Sequence, residues 1–111
     1  MNVLVIFSSN SGATEQLALA AAVGAVQARA NIRMRRLPDS GEDIPECREA
    51  LERMRREYVP PAKADVVWAD AVIIGERGKI CGVATNSADA TAYARQITID
   101  TRTLKTHPES Y

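Results

Sequence analysis

An α/β fold, with an open sheet of parallel strands covered by helices, is what this sequence predicts, and three observations carry the prediction. A continuous apolar run, Val3-Leu4-Val5-Ile6-Phe7, stands almost at the start of the chain. Such a run marks a strand covered on both faces in a parallel sheet. A second run, Ala71-Val72-Ile73-Ile74 closed by Gly75, looks as buried as the first. Around them, strand-like and helix-like segments alternate with short connections, an order that forces parallel pairing and right-handed crossovers.

The elements follow in order. Residues 14–29 are rich in Ala, Leu and Gln, with Leu17, Ala20, Ala21 and Gly24 on one stripe, and predict a helix. Gly24 in its middle costs about 1 kcal/mol relative to Ala, so its expected use is close approach of helix to sheet. Residues 32–37 form a second, poorer strand, ended by the turn formers Pro38-Asp39-Ser40-Gly41. Asp43-Ile44-Pro45-Glu46 has the form of a helix start, and Cys47, Ala50, Leu51, Met54 and Tyr58 then recur at helical spacing. The other face of that helix is charged, with Glu49 and Arg53, and Glu52 and Arg56, four apart. Pro60-Pro61 stops it, and residues 71–74 are the third strand. "NSADATAYARQI", residues 86–97, predicts a further helix capped near Ser87, and "TRTLKTHPESY" a polar tail.

With 111 residues, the chain is long enough for one core and too short for two. The formal net charge is zero, so no overall field draws it to nucleic acid or to an anionic membrane. Arg33, Arg35, Arg36, Arg53, Arg55 and Arg56 could form a basic patch, but seven acids between Asp39 and Glu57 favour a salt-bridged surface. No apolar run approaches the roughly 18 residues of a membrane span, and Met1-Asn2 leads straight into a strand-like segment. A cytoplasmic protein is expected, without a membrane or nucleic-acid partner. Cys47 and Cys81 are far apart and outside any CxxC pair, which suits incidental thiols in a reducing compartment.

The junction between the first strand and the first helix holds the candidate site. In open parallel sheets, ligands bind beyond the carboxyl ends of the strands. There stand Ser9, Asn10, Ser11, Gly12, Ala13 and Thr14. Three hydroxyls, a glycine that tolerates unusual backbone angles and the partly positive start of a helix together suit a phosphate. The alternative is that Ser11 or Thr14 simply caps the helix, which accounts for one hydroxyl but not three.

"SNSGATE", residues 9–15, resembles the phosphate loop of flavodoxins, in which a pattern of the type S/T-x-S/T-G-x-T cradles the phosphate of flavin mononucleotide (FMN). "ALAAAVGA", ending at Ala25, "RLPD" at 36–39 and "PAKADVVWADAVIIG" at 61–75 resemble the flavodoxin-like NAD(P)H:quinone oxidoreductases of the tryptophan-repressor-binding-protein family. The resemblance covers residues 1–75 and implies a flavodoxin-like doubly wound parallel sheet of strand order 2-1-3 with residues 3–7 central, bound FMN, two-electron reduction of a quinone by NAD(P)H, and a homo-oligomer. Carried over by position, Ser9, Ser11 and Thr14 would bond the phosphate through hydroxyls. Asn10, Gly12 and Ala13 would contribute backbone N–H groups, and Glu15 would open the helix. The implied chemistry needs no side chain as a catalytic acid.

Over residues 76–111 the pattern departs. The family follows its third strand with G-T-P-T-R-F-G or a near variant, whose backbone and aromatic residue line the flavin ring. This chain has "GERGKICG", residues 75–82, with no proline and no aromatic. Lys79 is not a planar fork and Ile80 cannot stack. The family's fourth and fifth strands are missing, which leaves an apolar sheet edge open beside the third. Two origins fit: a natural short form that completes its sheet with another copy, or a truncated or frame-shifted product, since Gly78-Lys79-Ile80 can be back-translated to give Ala-Arg-Phe in the next frame. The alternative function is accordingly a non-catalytic half-domain that binds phosphate or FMN weakly, or acts only in subunit association.

The remaining residues carry no chemistry of their own. His107 is the single histidine and has no metal or catalytic partners in sequence. Cys81 lacks the arginine six residues on that a phosphatase loop requires, and Ser87 stands there. Trp68 and Tyr93 are expected to pack rather than to flank a flavin.

Overall fold

The computed structural model describes residues 1–9, 11–37, 45–76, 79–80, 91–92, 95–96 and 98–99. Strand β1 (Asn2–Phe7) leads into helix α1 (Ala13–Gln27) and strand β2 (Asn31–Arg36). A 3₁₀ turn at Pro45–Cys47 continues as α2 (Arg48–Glu57). Helix α3 (Lys63–Trp68) then precedes β3 (Ala71–Glu76) and a two-residue strand β4 (Lys79–Ile80). The predicted turn at 38–41, the helix start at Asp43, Cys81, the cap at Ser87, Tyr93, His107 and the tail lie outside the described residues. Residues 91, 92, 95, 96, 98 and 99 are helical.

The sheet has the order β2-β1-β3-β4. β1 pairs in parallel with both β2 and β3, so the predicted 2-1-3 parallel arrangement with a central first strand is present. β4 is an addition: it turns back antiparallel, with Gly75 opposite Ile80 and Glu76 opposite Lys79. The expected open edge beside the third strand is therefore met at its carboxyl end by the chain itself.

In parallel register, side chains at matched positions share a face. Val3, Val5 and Phe7 align with Ile32, Met34 and Arg36 on one side and with Ala71, Ile73 and Gly75 on the other. Against that face pack Leu17, Ala18, Ala21 and Ala25 of α1 and Leu51 and Met54 of α2. The small alanines let α1 approach closely, and the larger residues of β1 and α2 fill the space. Leu17, Ala21 and Gly24 of the predicted stripe are buried.

The opposite face differs from expectation. Leu4 is fully buried there, but Val72 is 42% exposed and Ile74 46%. β3 is thus only partly covered on this face, and its apolar run overstated its burial. The cover on that side comes from α3, a helix the sequence reading did not separate from the approach to β3. Six residues including Val66 and Val67 have weak helix propensity. What fixes α3 is Asp65, which accepts the Ala62 N–H at 2.9 Å and bonds Arg33 (3.2 Å) and Arg35 (3.0 Å) of β2. The Arg33 guanidinium also lies 4.3 Å from the Trp68 ring centroid, so Trp68 packs as predicted, at the far end of the sheet from the β1–α1 loop.

Gly24 permits a close approach, but not to the sheet. A Cβ there would collide with the Thr91 backbone, whose hydroxyl donates to the Ala20 carbonyl at 2.9 Å. Edge strand β2 carries arginines, and near its end the Arg36 N–H is taken by the Val59 carbonyl (3.0 Å).

Candidate functional site

The β1–α1 connection lies at the carboxyl end of the central strand, beside the carboxyl end of β3, where Ser8 N–H donates to the Gly75 carbonyl at 3.0 Å. Gly12 is the residue on which the connection turns. Its φ is +96°, the left-handed region that a side chain resists, and helix α1 begins at the next residue. A left-handed residue followed by right-handed helical ones points successive N–H groups to one side, the concavity that receives anions. The first intrahelical bond runs from Gln16 N–H to the Gly12 carbonyl at 3.0 Å. Donors before it have no partner within the helix.

The serines fold onto this loop. Ser9 Oγ accepts the Gly12 N–H at 3.0 Å, within the ordinary range, and Ser11 Oγ accepts the Ala13 N–H at 3.4 Å, beyond it. Ser9 (7% exposed) and Thr14 (4%) are buried, whereas Ser11 and Ala13 are exposed. The structure therefore brings Ser9, Ser11, Gly12, Ala13 and Thr14 into one turn. Asn10 lies outside the described residues. In this arrangement the Ser9 and Ser11 hydroxyls act as acceptors within the loop, and a phosphate oxygen could take over that role at the Gly12 and Ala13 N–H groups only where those contacts opened.

Beneath the loop lies a charged network that sequence reasoning missed. Glu15 has only 1% of its surface exposed, although it stands in the first turn of α1. Arg53 of α2 grips its carboxylate in a fork, Nη1 to Oε2 at 2.9 Å and Nη2 to Oε1 at 2.5 Å. Tyr58 donates its hydroxyl to Oε2 at 2.7 Å, and its ring stands edge-on to Phe7 with centroids 4.9 Å apart. Arg53 also bonds Glu57 at 2.8 Å, so it pairs one turn forward rather than with Glu49. The Arg53 fork holds the Glu15 carboxyl below its ordinary value against the opposing effect of burial. Burial, with Glu15 beside it, pushes the Tyr58 phenol up.

Arg36, itself buried, donates from Nη2 to the Ser9 carbonyl at 2.8 Å and ties β2 to the loop. Of the six arginines weighed as a basic patch, Arg33, Arg35 and Arg53 are in ion pairs. The signal for this network was spatial: Glu15 and Arg53 are 38 positions apart, and nothing in their spacing joins them.

A cavity of about 340 Å³ is lined by Glu49, Ala50, Arg53 and Arg56 of α2. Among the described residues no three His, Cys, Asp or Glu side chains are grouped to hold a metal, and no helix is long and apolar enough to cross a membrane. Lys79–Ile80, in the segment where the sequence departs from the resembled family, pair antiparallel with β3 as β4. No protein-family model matches the chain, and no curated protein matches it.

Proposed function

We propose that the protein is a flavodoxin-like NAD(P)H:quinone oxidoreductase that binds FMN by its phosphate at the β1–α1 loop. The observation that carries this reading is the left-handed Gly12 at the start of α1, at the carboxyl end of the central strand of a parallel sheet. Loop, helix start and neighbouring guanidiniums fit a dianionic phosphomonoester in charge and in donor chemistry. FMN, when bound, supplies the transfer of two electrons from a nicotinamide nucleotide to a quinone. The chain's own part is to bind and orient: Gly12 shapes the loop, the loop hydroxyls and backbone N–H groups would meet the phosphate on opening of the Ser9 and Ser11 contacts, and Arg36 fixes the Ser9 carbonyl. Its partners on this reading are a small quinone, NAD(P)H and further copies of the chain, in the cytoplasm.

A second reading is favoured by one observation. The antiparallel β4 stands where the resembled family places the backbone that lines the flavin ring, and Lys79–Ile80 brings no aromatic. On that reading the protein holds phosphate or FMN weakly, or serves subunit association, without turning over substrate.

Oxidation of NADH and NADPH by the purified chain, with FMN and a soluble quinone added, separates the two. FMN-dependent turnover above that of free FMN supports the oxidoreductase. Saturable FMN binding without turnover selects the binding module, and the absence of both binding and turnover removes the oxidoreductase and the FMN-binding module and leaves only subunit association.

A further inference from the structure

We propose that Arg53 is a specificity-determining residue of the β1–α1 loop, the charged ligand through which the loop prefers a phosphomonoester dianion to a neutral compound. The inference rests on the reading that this loop holds a phosphate. It adds a residue from α2, outside the loop, that the SNSGATE pattern does not contain.

Position comes first. Arg53 Nη2 lies 3.9 Å from the point where a Cβ on Gly12 would stand, so the guanidinium is at the loop even though Arg53 belongs to another helix. Its location is fixed rather than incidental. Glu15 is buried, grips the guanidinium through both carboxylate oxygens and is itself braced by the Tyr58 hydroxyl.

Donor capacity comes second. A guanidinium carries five N–H donors in a fixed fork. Three are used, two by Glu15 and one by Glu57, which leaves Nε–H and one hydrogen of Nη2. The side chain is 39% exposed, and on α2 it also lines a cavity with Glu49, Ala50 and Arg56. Arginine suits this task because its planar fork matches phosphate oxygens as well as carboxylates.

Charge decides the matter. Glu15 Oε1 lies 3.5 Å from the same Gly12 reference point, so a full carboxylate stands at the residue on which the loop turns. Loop N–H groups and the helix start carry only partial charges. With Glu15 ionised and no cation beside it, the loop would repel a dianion. Arg53 cancels that carboxylate and still presents donors outward, whereas Glu57 competes for the same guanidinium from the exposed side.

The test is a flavin-fluorescence titration of the full chain with FMN and, separately, riboflavin, in the wild type and in Glu57→Gln, Arg53→Gln, Arg53→Lys and Glu52→Gln. Glu57 is 52% exposed, so its replacement leaves the core alone. Glu57→Gln is expected to raise the ratio of FMN to riboflavin affinity by about threefold, and Arg53→Gln to lower it by about tenfold, with Arg53→Lys between Arg53→Gln and the wild type. Glu52→Gln, which removes an exposed charge of the same helix with no bond to Arg53, is expected to leave the ratio near the wild-type value. A wild-type ratio that Glu57→Gln leaves unchanged overturns the assignment even if Arg53→Gln fails to fold. So does an unchanged ratio in Arg53→Gln that retains the wild-type circular dichroism. A wild type that binds FMN no better than riboflavin removes the phosphate reading itself and this inference with it.

Discussion

Glu15 concentrates at one residue what holds the first turn of α1 to α2. Its carboxylate is out of water, yet three donors meet it, two from Arg53 and one from Tyr58. Breaking one side of such an arrangement leaves the other buried and unsatisfied, which costs more than the bond itself contributes. The pH dependence follows in sign. The folded-state value of Glu15 is held below the 4.5 of the free side chain, so its contribution is complete above that value and is lost as the pH falls through the lower, folded one. Asp65, lowered by the Ala62 N–H and by Arg35, acts in the same direction. Thermal unfolding followed from about pH 6 to pH 3 is expected to show a falling midpoint, with a shallower fall in Glu15→Gln than in the wild type. Parallel curves for the two proteins would mean that Glu15 is not held as described.

At the scale of elements, β1 was legible in the sequence because burial on both faces demands an uninterrupted apolar run, and Val3, Leu4, Val5 and Phe7 are all fully buried. α1 was legible from its composition and stripe, and Gly12 from the need for φ above zero between strand and helix. Parallel pairing followed from the short connections, and the 2-1-3 order from the resemblance to flavodoxin-like proteins. Where the reading fell short, the reason was long-range. β3 has the same apolar character as β1, but one of its faces is only partly covered, and no local pattern reports how many layers a fold supplies. α3 depends on Asp65 meeting arginines thirty positions away, and the Glu15 network joins residues from two helices. Gly24 was legible as a point of close approach but not the partner it meets. Replacing Gly24 with Ala adds helix propensity worth about 1 kcal/mol, yet drives a methyl group into the Thr91 backbone. Overpacking of this kind commonly costs about 1 to 3 kcal/mol, so urea unfolding of Gly24→Ala is expected to show net destabilisation. A stabilised variant would mean that the segment around Thr91 does not press on α1.

For the molecule as a whole, the sheet separates two surfaces of different finish. One face is filled by α1 and α2. The other leaves Val72 and Ile74 of β3 and Val66 and Val67 of α3 in contact with solvent, and the outer side of α1 exposes Val23 and Val26. Exposed apolar residues in such number favour association. Sedimentation across a range of protein concentrations is expected to show self-association, in keeping with the homo-oligomer that the resemblance to flavodoxin-like oxidoreductases implies. A species that stays monomeric at high concentration counts against it. The proposed function depends on the junction where the central strand, α1 and α2 meet. Its most direct measurement is a titration of the purified chain with FMN and with riboflavin, repeated for Gly12→Val. FMN is expected to bind at least about tenfold more tightly than riboflavin, because only FMN presents a dianion to the helix start and the neighbouring guanidiniums. Gly12→Val is expected to erase the difference, since a β-branched side chain resists φ near +96° and crowds the loop. Equal binding of the two flavins by the wild type, or an FMN preference that survives Gly12→Val, would show that the loop only starts a helix and would contradict the proposed function.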